Sequence, residues 1–283
     1  MASCYSYKSN CFIYIAMIAF PNAKINIGLN ITERRTDGYH NLETIFYPIQ
    51  IKDALEVIES DRITFTSSGI DIPGSAESNL CLKAYQLLKA DYNLPPIAIH
   101  LHKHIPIGAG LGGGSSDAAF CIRLLNQKFN LNIHAEQMAG YARQLGADCA
   151  FFIENKPVYA FEKGDRFEPV SINLDAYTIV VVMPPGHVST ADAYRGVVPQ
   201  ASAASLKDMV QLPIADWRHH IKNDFEKHIL QNYPVIADVK NELYAAGALY
   251  ASMSGSGAAV FAVFNKMPDL ASIEKGNQLF FNV

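Results

Sequence analysis

No Cys-x-x-Cys pair occurs in the sequence, and its five cysteines, Cys4, Cys11, Cys81, Cys121 and Cys149, are scattered and odd in number. That argues against a disulfide framework or a zinc site and suits a reducing compartment; Cys81, Cys121 and Cys149 are expected in or near the core. Charge of either sign is also in short supply. Charged residues make up 18% and the formal net charge is −4, so no overall basic field draws the chain to nucleic acid or to an anionic membrane. An apolar run able to cross a bilayer is missing too. Cys11 to Phe20 is apolar apart from Tyr14, but ten residues are too few for a span. One lysine, Lys8, precedes that run, a faint imitation of a signal peptide. The reading adopted is a cytoplasmic protein with an extension over residues 1–16, disordered or misassigned; a secreted protein is the alternative. There is no internal repeat and no low-complexity tract. What remains is 49% hydrophobic residue in 283, enough for one large domain or two lobes.

Along the chain, Ala19 to Ile31 reads as a strand that carries Lys24 and Asn26 among apolar neighbours, with Lys24, Asn26 and Gly28 on one face. Asp37-Gly38 marks a turn. Leu42–Ile51, Ala54–Ile58 and Ile63–Thr66 read as strands, and Ser78–Ala90 as a helix capped by Ser78. Ile97 to Ile105 alternates strictly. A helix is expected from about Ser115 to Lys128, another over Ala135–Leu145 ended by Gly146, and a strand over Cys149–Ile153. Beyond Lys163-Gly164-Asp165 the pattern restarts with a strand Tyr177–Met183, a loop Pro184–Gly186, a helix around Val235–Ala246 and a strand Ala258–Phe264. The mixture points to an α+β fold with a boundary near residue 170: lobes 17–170 and 171–283.

The strongest local signal is PIGAGLGGGSSDAA, Pro106 to Ala119, with five glycines between Gly108 and Gly114. Glycines let the backbone take positive φ and approach a ligand closely. Ser115 and Ser116, which are cap-type residues, then open a helix. Bare N–H groups at a helix N-terminus make an anion site, and a triphosphate fits it. The match of Gly108-x-Gly110-x-x-Gly113 to a dinucleotide fingerprint is weak alone. The strand before it alternates, whereas a first Rossmann strand is apolar on both faces. No Gly-Lys-Ser/Thr ends the run, which excludes a P-loop. A merely flexible loop would lose backbone entropy without return. Asp117 is expected in the first turn of the helix, favourably placed in its dipole.

This loop resembles the second motif of the GHMP kinases, and two further motifs occur in the right order. They are PNAKIN, Pro21 to Asn26, and Ser254-Gly255-Ser256-Gly257 followed by an apolar strand. RTDGYH (Arg35 to His40), whose Asp37 lies thirteen residues after Lys24, and LGAD (Leu145 to Asp148) are similar to the branch acting on a cytidine-diphosphate-linked methylerythritol, in isoprenoid precursor synthesis. The resemblance covers roughly residues 18 to 265. Departures are the extension and Cys149-Ala150, where valine and proline are common.

The resemblance implies a two-lobed α+β fold, with a ribosomal-protein-S5-domain-2-like N-terminal lobe and a ferredoxin-like C-terminal lobe. It implies ATP-dependent phosphorylation of a small-molecule hydroxyl, with no nucleic acid or membrane partner, and it assigns no oligomeric state. Asp148 is implied as general base, with Lys24 beside it holding the carboxylate ionised and stabilising phosphoryl charge. Pro106, Ile107, Gly108, Ala109, Gly110, Leu111, Gly112, Gly113, Gly114, Ser115 and Ser116 are implied to cradle ATP, with Asn79 and Lys103 near the adenosine. Asn26, Tyr39 and His40 would line the acceptor pocket, Tyr194 would stack on cytosine, and Gly255, Ser256 and Gly257 would back the substrate phosphates. Mg2+ is implied with ATP, and Ser116 is the candidate ligand.

Taken without the resemblance, Asp148 reads as a turn aspartate, Lys24 as a solvated strand lysine and Ser254–Gly257 as a hairpin turn. His100, His102 and His104 share one strand face. Same-face neighbours are about 7 Å apart and converge poorly on one ion, so a partly solvated face is preferred to a metal site. Alternatives to the cytidyl-linked kinase are a homoserine- or mevalonate-type GHMP kinase, a catalytically silent sensor and, more distantly, a nicotinamide-dependent oxidoreductase.

Overall fold

Pro21 divides the first expected strand in two, because proline has no N–H to give a ladder. In the computed structural model, which describes residues 16–202 and 204–283, β1 is Met17–Ala19 and β2 is Asn22–Arg34. Cys4, Cys11 and the expected extension lie outside the described residues, apart from Ala16. Strand β2 runs to the Arg35–Gly38 turn, where Asp37 Oδ1 accepts from the Tyr39 N–H at 3.1 Å. β3 (His40–Lys52), β4 (Ala54–Glu59) and β5 (Thr64–Gly69) follow. Helix α1 (Leu80–Asp91) is capped by Asn79, whose Oδ1 accepts from the Cys81 N–H at 2.9 Å. Ser78, the expected cap, instead ends a 3-10 turn and donates to the Ser75 carbonyl. Either residue type caps, so the local sequence does not choose between them.

Strand β6 (Ile97–Lys103) buries Ile97, Ile99, Leu101 and Lys103 on one face, as alternation requires. Helix α2 (Gly113–Lys128) starts two residues before Ser115, which puts Asp117 beyond its first turn. Helix α3 (Ala135–Leu145) ends at Gly146 as expected. The run Cys149–Ile153, expected as a strand, is a turn entering the short helix α4 (Phe151–Glu154), packed on α2 and α3. A short, wholly buried apolar run carries no period that separates strand from helix. Strands β7 (Val158–Phe161) and β8 (Arg166–Pro169), absent from the sequence reading, form a hairpin around Lys163-Gly164-Asp165.

The remaining elements are β9 (Thr178–Met183), α5 (Thr190–Arg195), α6 (Leu206–Met209), α7 (Ile214–His220) and α8 (Glu226–Asn232). They are followed by α9 (Pro234–Ala245), β10 (Tyr250–Met253), β11 (Val260–Phe264) and β12 (Gln278–Phe281). The fold is α+β. One sheet has the order β1-β4-β6-β5, with β5 and β6 parallel, and a second has the order β2-β3-β7-β8, antiparallel throughout. The third has the order β10-β11-β9-β12, antiparallel throughout. Its strands, numbered from β9, run 2-3-1-4, the ferredoxin-like order. One core lies between the first sheet and α1–α4. Another joins Ile25, Ile27 and Ile45 to Val181, Trp217, Tyr250 and Phe261, so apolar burial spans both halves of the chain. Strand β2 is buried on both faces from Asn22 to Ile31, which carries Lys24 and Asn26 into the interior.

Candidate active site

The glycine run leaves β6 and turns back over the end of β2. Gly108, Gly110 and Gly112 all take positive φ, 65°, 76° and 71°. At Gly110 the need is absolute: a Cβ there would sit 1.9 Å from the Ser254 carbonyl oxygen. Gly112, in the left-handed region, occupies the cap position of α2 with no side-chain cap. Among the described residues no N-cap side chain takes up the first-turn N–H groups of α2, the arrangement an anion site requires. Ser115 does not cap the helix as expected; its Oγ donates to Asp148 Oδ1 at 2.7 Å.

A cavity of about 620 Å3 opens over this loop, the size of small-molecule sites. Every residue from Pro106 to Ser115 lines it, together with Lys24, Asn79, Lys103, Asp117, Asp148, Gly255 and Ser256. His187, Val188, Ser189 and Thr190, leading into α5, add to the wall. His187, Val188 and Ser189 were not singled out from sequence, and no local motif marks them; Thr190 opens the loose motif that ends at Tyr194.

Lys24 is 4% exposed. Its Nζ donates to Asn26 Oδ1 at 2.6 Å and to the Gly110 carbonyl at 2.8 Å, and lies 5.3 Å from the centre of the Phe46 ring. Burial pulls its pKa down from 10.5 to about 8, and the nearby charge of Asp148 opposes the fall. The two groups thus feel each other electrostatically, but among the described residues they form no direct ion pair. Asp148 is half-buried in the turn after α3. Its neighbour Cys149 is buried, and burial with the Asp148 charge pushes the thiol up to about 12. That thiol is inert.

Asn26, expected on the acceptor, has its side chain engaged elsewhere. It accepts from Lys24, and its Nδ2 donates to Thr44 Oγ1 at 3.0 Å. It is buried and does not line the cavity. Lys103, expected near the adenosine, lines the cavity but sits in a buried triad, bonded to Asp53 and, at 2.7 Å, to Asp117 Oδ2. Burial pulls Lys103 down, yet the two carboxylates hold it above its usual range. Burial likewise pushes Asp117 up to about 7, against the pull of Lys103. Asp117, expected in the first turn as a dipole partner, is instead an ion-pair partner, because α2 begins at Gly113 and leaves it past the turn where the dipole acts.

Ser116 is fully buried, its Oγ has no hydrogen-bond partner among the described residues, and it does not line the cavity. Beyond the cavity edge, His40 stacks on Tyr194 with ring centres 4.8 Å apart, and Tyr194 meets Phe225 edge-on at 4.8 Å. Tyr39 is 63% exposed, with Lys163 Nζ 5.4 Å from its ring centre. Gly257 stands behind Gly255 and Ser256 in the turn between β10 and β11. His100 and His102 both meet Ser68 Oγ at 3.0 Å, whereas His104 lies past the strand end, edge-on to Phe280.

Comparison with known proteins gives the family. The model of the GHMP kinases N-terminal domain matches residues 79–156 and that of the GHMP kinases C-terminal domain matches residues 205–277. A 4-diphosphocytidyl-2-C-methyl-D-erythritol kinase of Bacteroides fragilis is 53% identical over 253 residues, which cover 88% of this chain and 92% of that protein. The chain belongs to this kinase family, a branch of the GHMP kinases. A crystal structure of 4-(cytidine 5'-diphospho)-2C-methyl-D-erythritol kinase superposes with a TM-score of 0.79 at 28% identity, covering 94% of this chain and 98% of that one. The mevalonate kinase of Methanococcus jannaschii superposes at 0.69 with 15% identity, covering 94% and 98%, a likeness of fold alone. The chain is a small-molecule kinase that uses ATP.

Proposed function

We infer that the protein transfers the terminal phosphoryl group of ATP to the 2-hydroxyl of 4-diphosphocytidyl-2-C-methyl-D-erythritol, giving the 2-phosphate and ADP, in isoprenoid precursor synthesis. The observation that carries this reading is the opening of the glycine cradle, Asp148 and Lys24 onto one cavity. The relatives' names supply the acceptor. We assign the N-terminal half, 17–170, to ATP and the C-terminal half, 171–283, to closing the site over the acceptor.

In this scheme the cradle from Pro106 to Ser115 binds the polyphosphate through backbone N–H groups, and Asn79 borders the nucleoside end. Asp148 accepts the proton of the substrate hydroxyl as that oxygen bonds to the γ-phosphorus. The bond from phosphorus to the bridging oxygen breaks, and ADP leaves with its electron pair. Ser115 holds one carboxylate oxygen of Asp148, leaving the other for the hydroxyl. Lys24 supplies positive charge beside the transfer. Mg2+ would enter with the triphosphate and neutralise charge on the phosphates. Ser116, whose buried hydroxyl lacks a partner among the described residues, is the candidate ligand; its hydroxyl would have to turn toward the cavity, which it does not line. Tyr39, His40 and Tyr194 form the aromatic flank for the cytidine end, and Gly255, Ser256 and Gly257 back its diphosphate. Asn26 acts through Lys24, which it orients. A cytoplasmic setting is part of the proposal and fits the free buried thiols.

A coupled ADP-release assay tests the reading: turnover is expected with the cytidyl-linked substrate and not with homoserine or mevalonate. Asp148→Asn should lower kcat by roughly 10²–10⁴-fold, the contribution of a positioned base, with ATP-analogue binding kept. Turnover near the wild-type rate would remove Asp148 as base.

A further inference from the structure

Asn223 lies in the link between α7 and α8, is 2% exposed and does not line the cavity. Its side chain is nevertheless fully engaged on behalf of the cavity wall. Nδ2 donates to the Met253 carbonyl at 2.9 Å and to the Gly255 carbonyl at 2.8 Å, while Oδ1 accepts from the Phe225 N–H at 3.0 Å. Gly255 and Ser256 do line the cavity. The peptide joining them is trans, and in a trans peptide the carbonyl and the N–H point in opposite directions. Drawing the Gly255 carbonyl inward onto Asn223 therefore turns the Ser256 N–H away from Asn223, toward the cavity side. Gly255 is a left-handed glycine, φ 55°, so the turn itself has little preference against the opposite orientation. That orientation would present a carbonyl oxygen to an anion.

The residues around Asn223 fix it in place. Leu29 donates to the Lys222 carbonyl at 2.9 Å, the Asp224 N–H donates to Leu29 at 2.8 Å, and Ile31 donates to Asp224 Oδ2 at 2.8 Å. The segment is thereby clipped to the strand that bears Lys24. Glu226 Oε1 accepts from the Met253 N–H at 2.8 Å, so Met253 is held through both its N–H and its carbonyl. The same turn reaches the cradle, because Ser254 Oγ donates to the Gly110 carbonyl at 2.9 Å, the carbonyl that Lys24 also binds.

We propose that Asn223 is a positioning residue that sets the Gly255–Ser256 peptide so that an N–H faces the diphosphate of the acceptor. The proposal rests on the reading of this turn as a phosphate-backing element. Only an amide fits the role: an aspartate of the same shape would set a carboxylate oxygen against two carbonyls. Asn223→Asp should therefore raise KM for 4-diphosphocytidyl-2-C-methyl-D-erythritol by roughly 10- to 100-fold, the loss of one hydrogen bond to a charged group. KM for ATP and the affinity for a non-hydrolysable ATP analogue should stay within about twofold, less than the effect of any one lost hydrogen bond.

Asp224→Asn is the comparison. It weakens the clip on β2 without touching the turn, and should lower the melting temperature while leaving the ratio of the two KM values unchanged. A folded Asn223→Asp enzyme with wild-type KM for the acceptor would overturn the proposal. So would a rise in both KM values in proportion to lost thermal stability, as in Asp224→Asn, which marks a packing role only. Wild-type enzyme that turns over the substrate but gains nothing from its diphosphate, tested with a methylerythritol monophosphate as competitor, would instead remove the phosphate-backing reading itself.

Discussion

Lys24 shows how one side chain serves two opposed demands. It is buried on β2 because apolar residues on either side of it enter the core, yet it keeps three polar neighbours in Asn26, Gly110 and, at longer range, Asp148. A lysine with a pKa near 8 is charged at neutral pH and loses its charge as pH rises. The rate should therefore fall as pH passes through about 8, and Asp148→Asn, which removes the charge that raises this pKa, should move the lysine's titration lower, as a pH titration monitored by lysine NMR would read. The stability consequence has the opposite sign. Between about 8 and 10.5 the unfolded chain binds the extra proton, so stability conferred through Lys24 rises with pH over that window and is lost as pH falls through 8. Denaturant melts of wild type and Lys24→Met should thus diverge in favour of wild type over that window. Parallel curves would show that Lys24 titrates normally. The polar face of β2 was legible from alternation alone. That Lys24 is buried was not, because the solvated lysine and the buried one share one local pattern, and only the packing of the second core over β2 distinguishes them.

At the level of the element, the glycine run was the most readable part of the chain, since five glycines before a helix have few other uses. Its individual glycines differ, however, and the difference is tertiary. Gly110 has φ 76° and backbone of the β10–β11 turn 1.9 Å from where a Cβ would sit. Gly114 is within α2, with no atom nearer than 4.0 Å to that position. Gly110→Ala should lower the melting temperature and abolish turnover, the left-handed strain alone being about 1–2 kcal/mol. Gly114→Ala should raise thermal stability by up to roughly 1 kcal/mol through helix propensity. A Gly110→Ala protein with an unchanged melting curve would refute the close approach of loop and turn. The helix start was misread by two residues for a related reason: Ser115 looks like a cap, but a hydrogen bond to Asp148 draws its hydroxyl elsewhere.

Across the whole molecule, the cavity takes its floor from residues before 150 and part of its wall from residues 187–190 and 255–256, while one apolar core crosses between the halves. A ligand filling that cavity would touch both. A non-hydrolysable ATP analogue at about 100 times its Kd should stabilise the fold by roughly 2.7 kcal/mol and shift a single thermal transition. Two transitions with only one displaced would show that the halves unfold separately.

Local chemistry in the sequence determined a good deal. The alternation of β6, the end of α3 at Gly146, the turn at Asp37-Gly38 and the positive-φ backbone of the glycine run follow from short-range sterics, burial period and backbone freedom. Packing decided the rest. Cys149–Ile153 became a turn and helix because an apolar run has no period of its own. Lys103 became a member of an ion triad because β6, α2 and Asp53 meet beneath the loop. Asn223, far from every motif, took hold of the glycine turn because two segments 30 residues apart in sequence come together only when the third sheet closes. Contacts between distant segments leave no trace in local sequence, and the orientation of a single peptide plane depends on them.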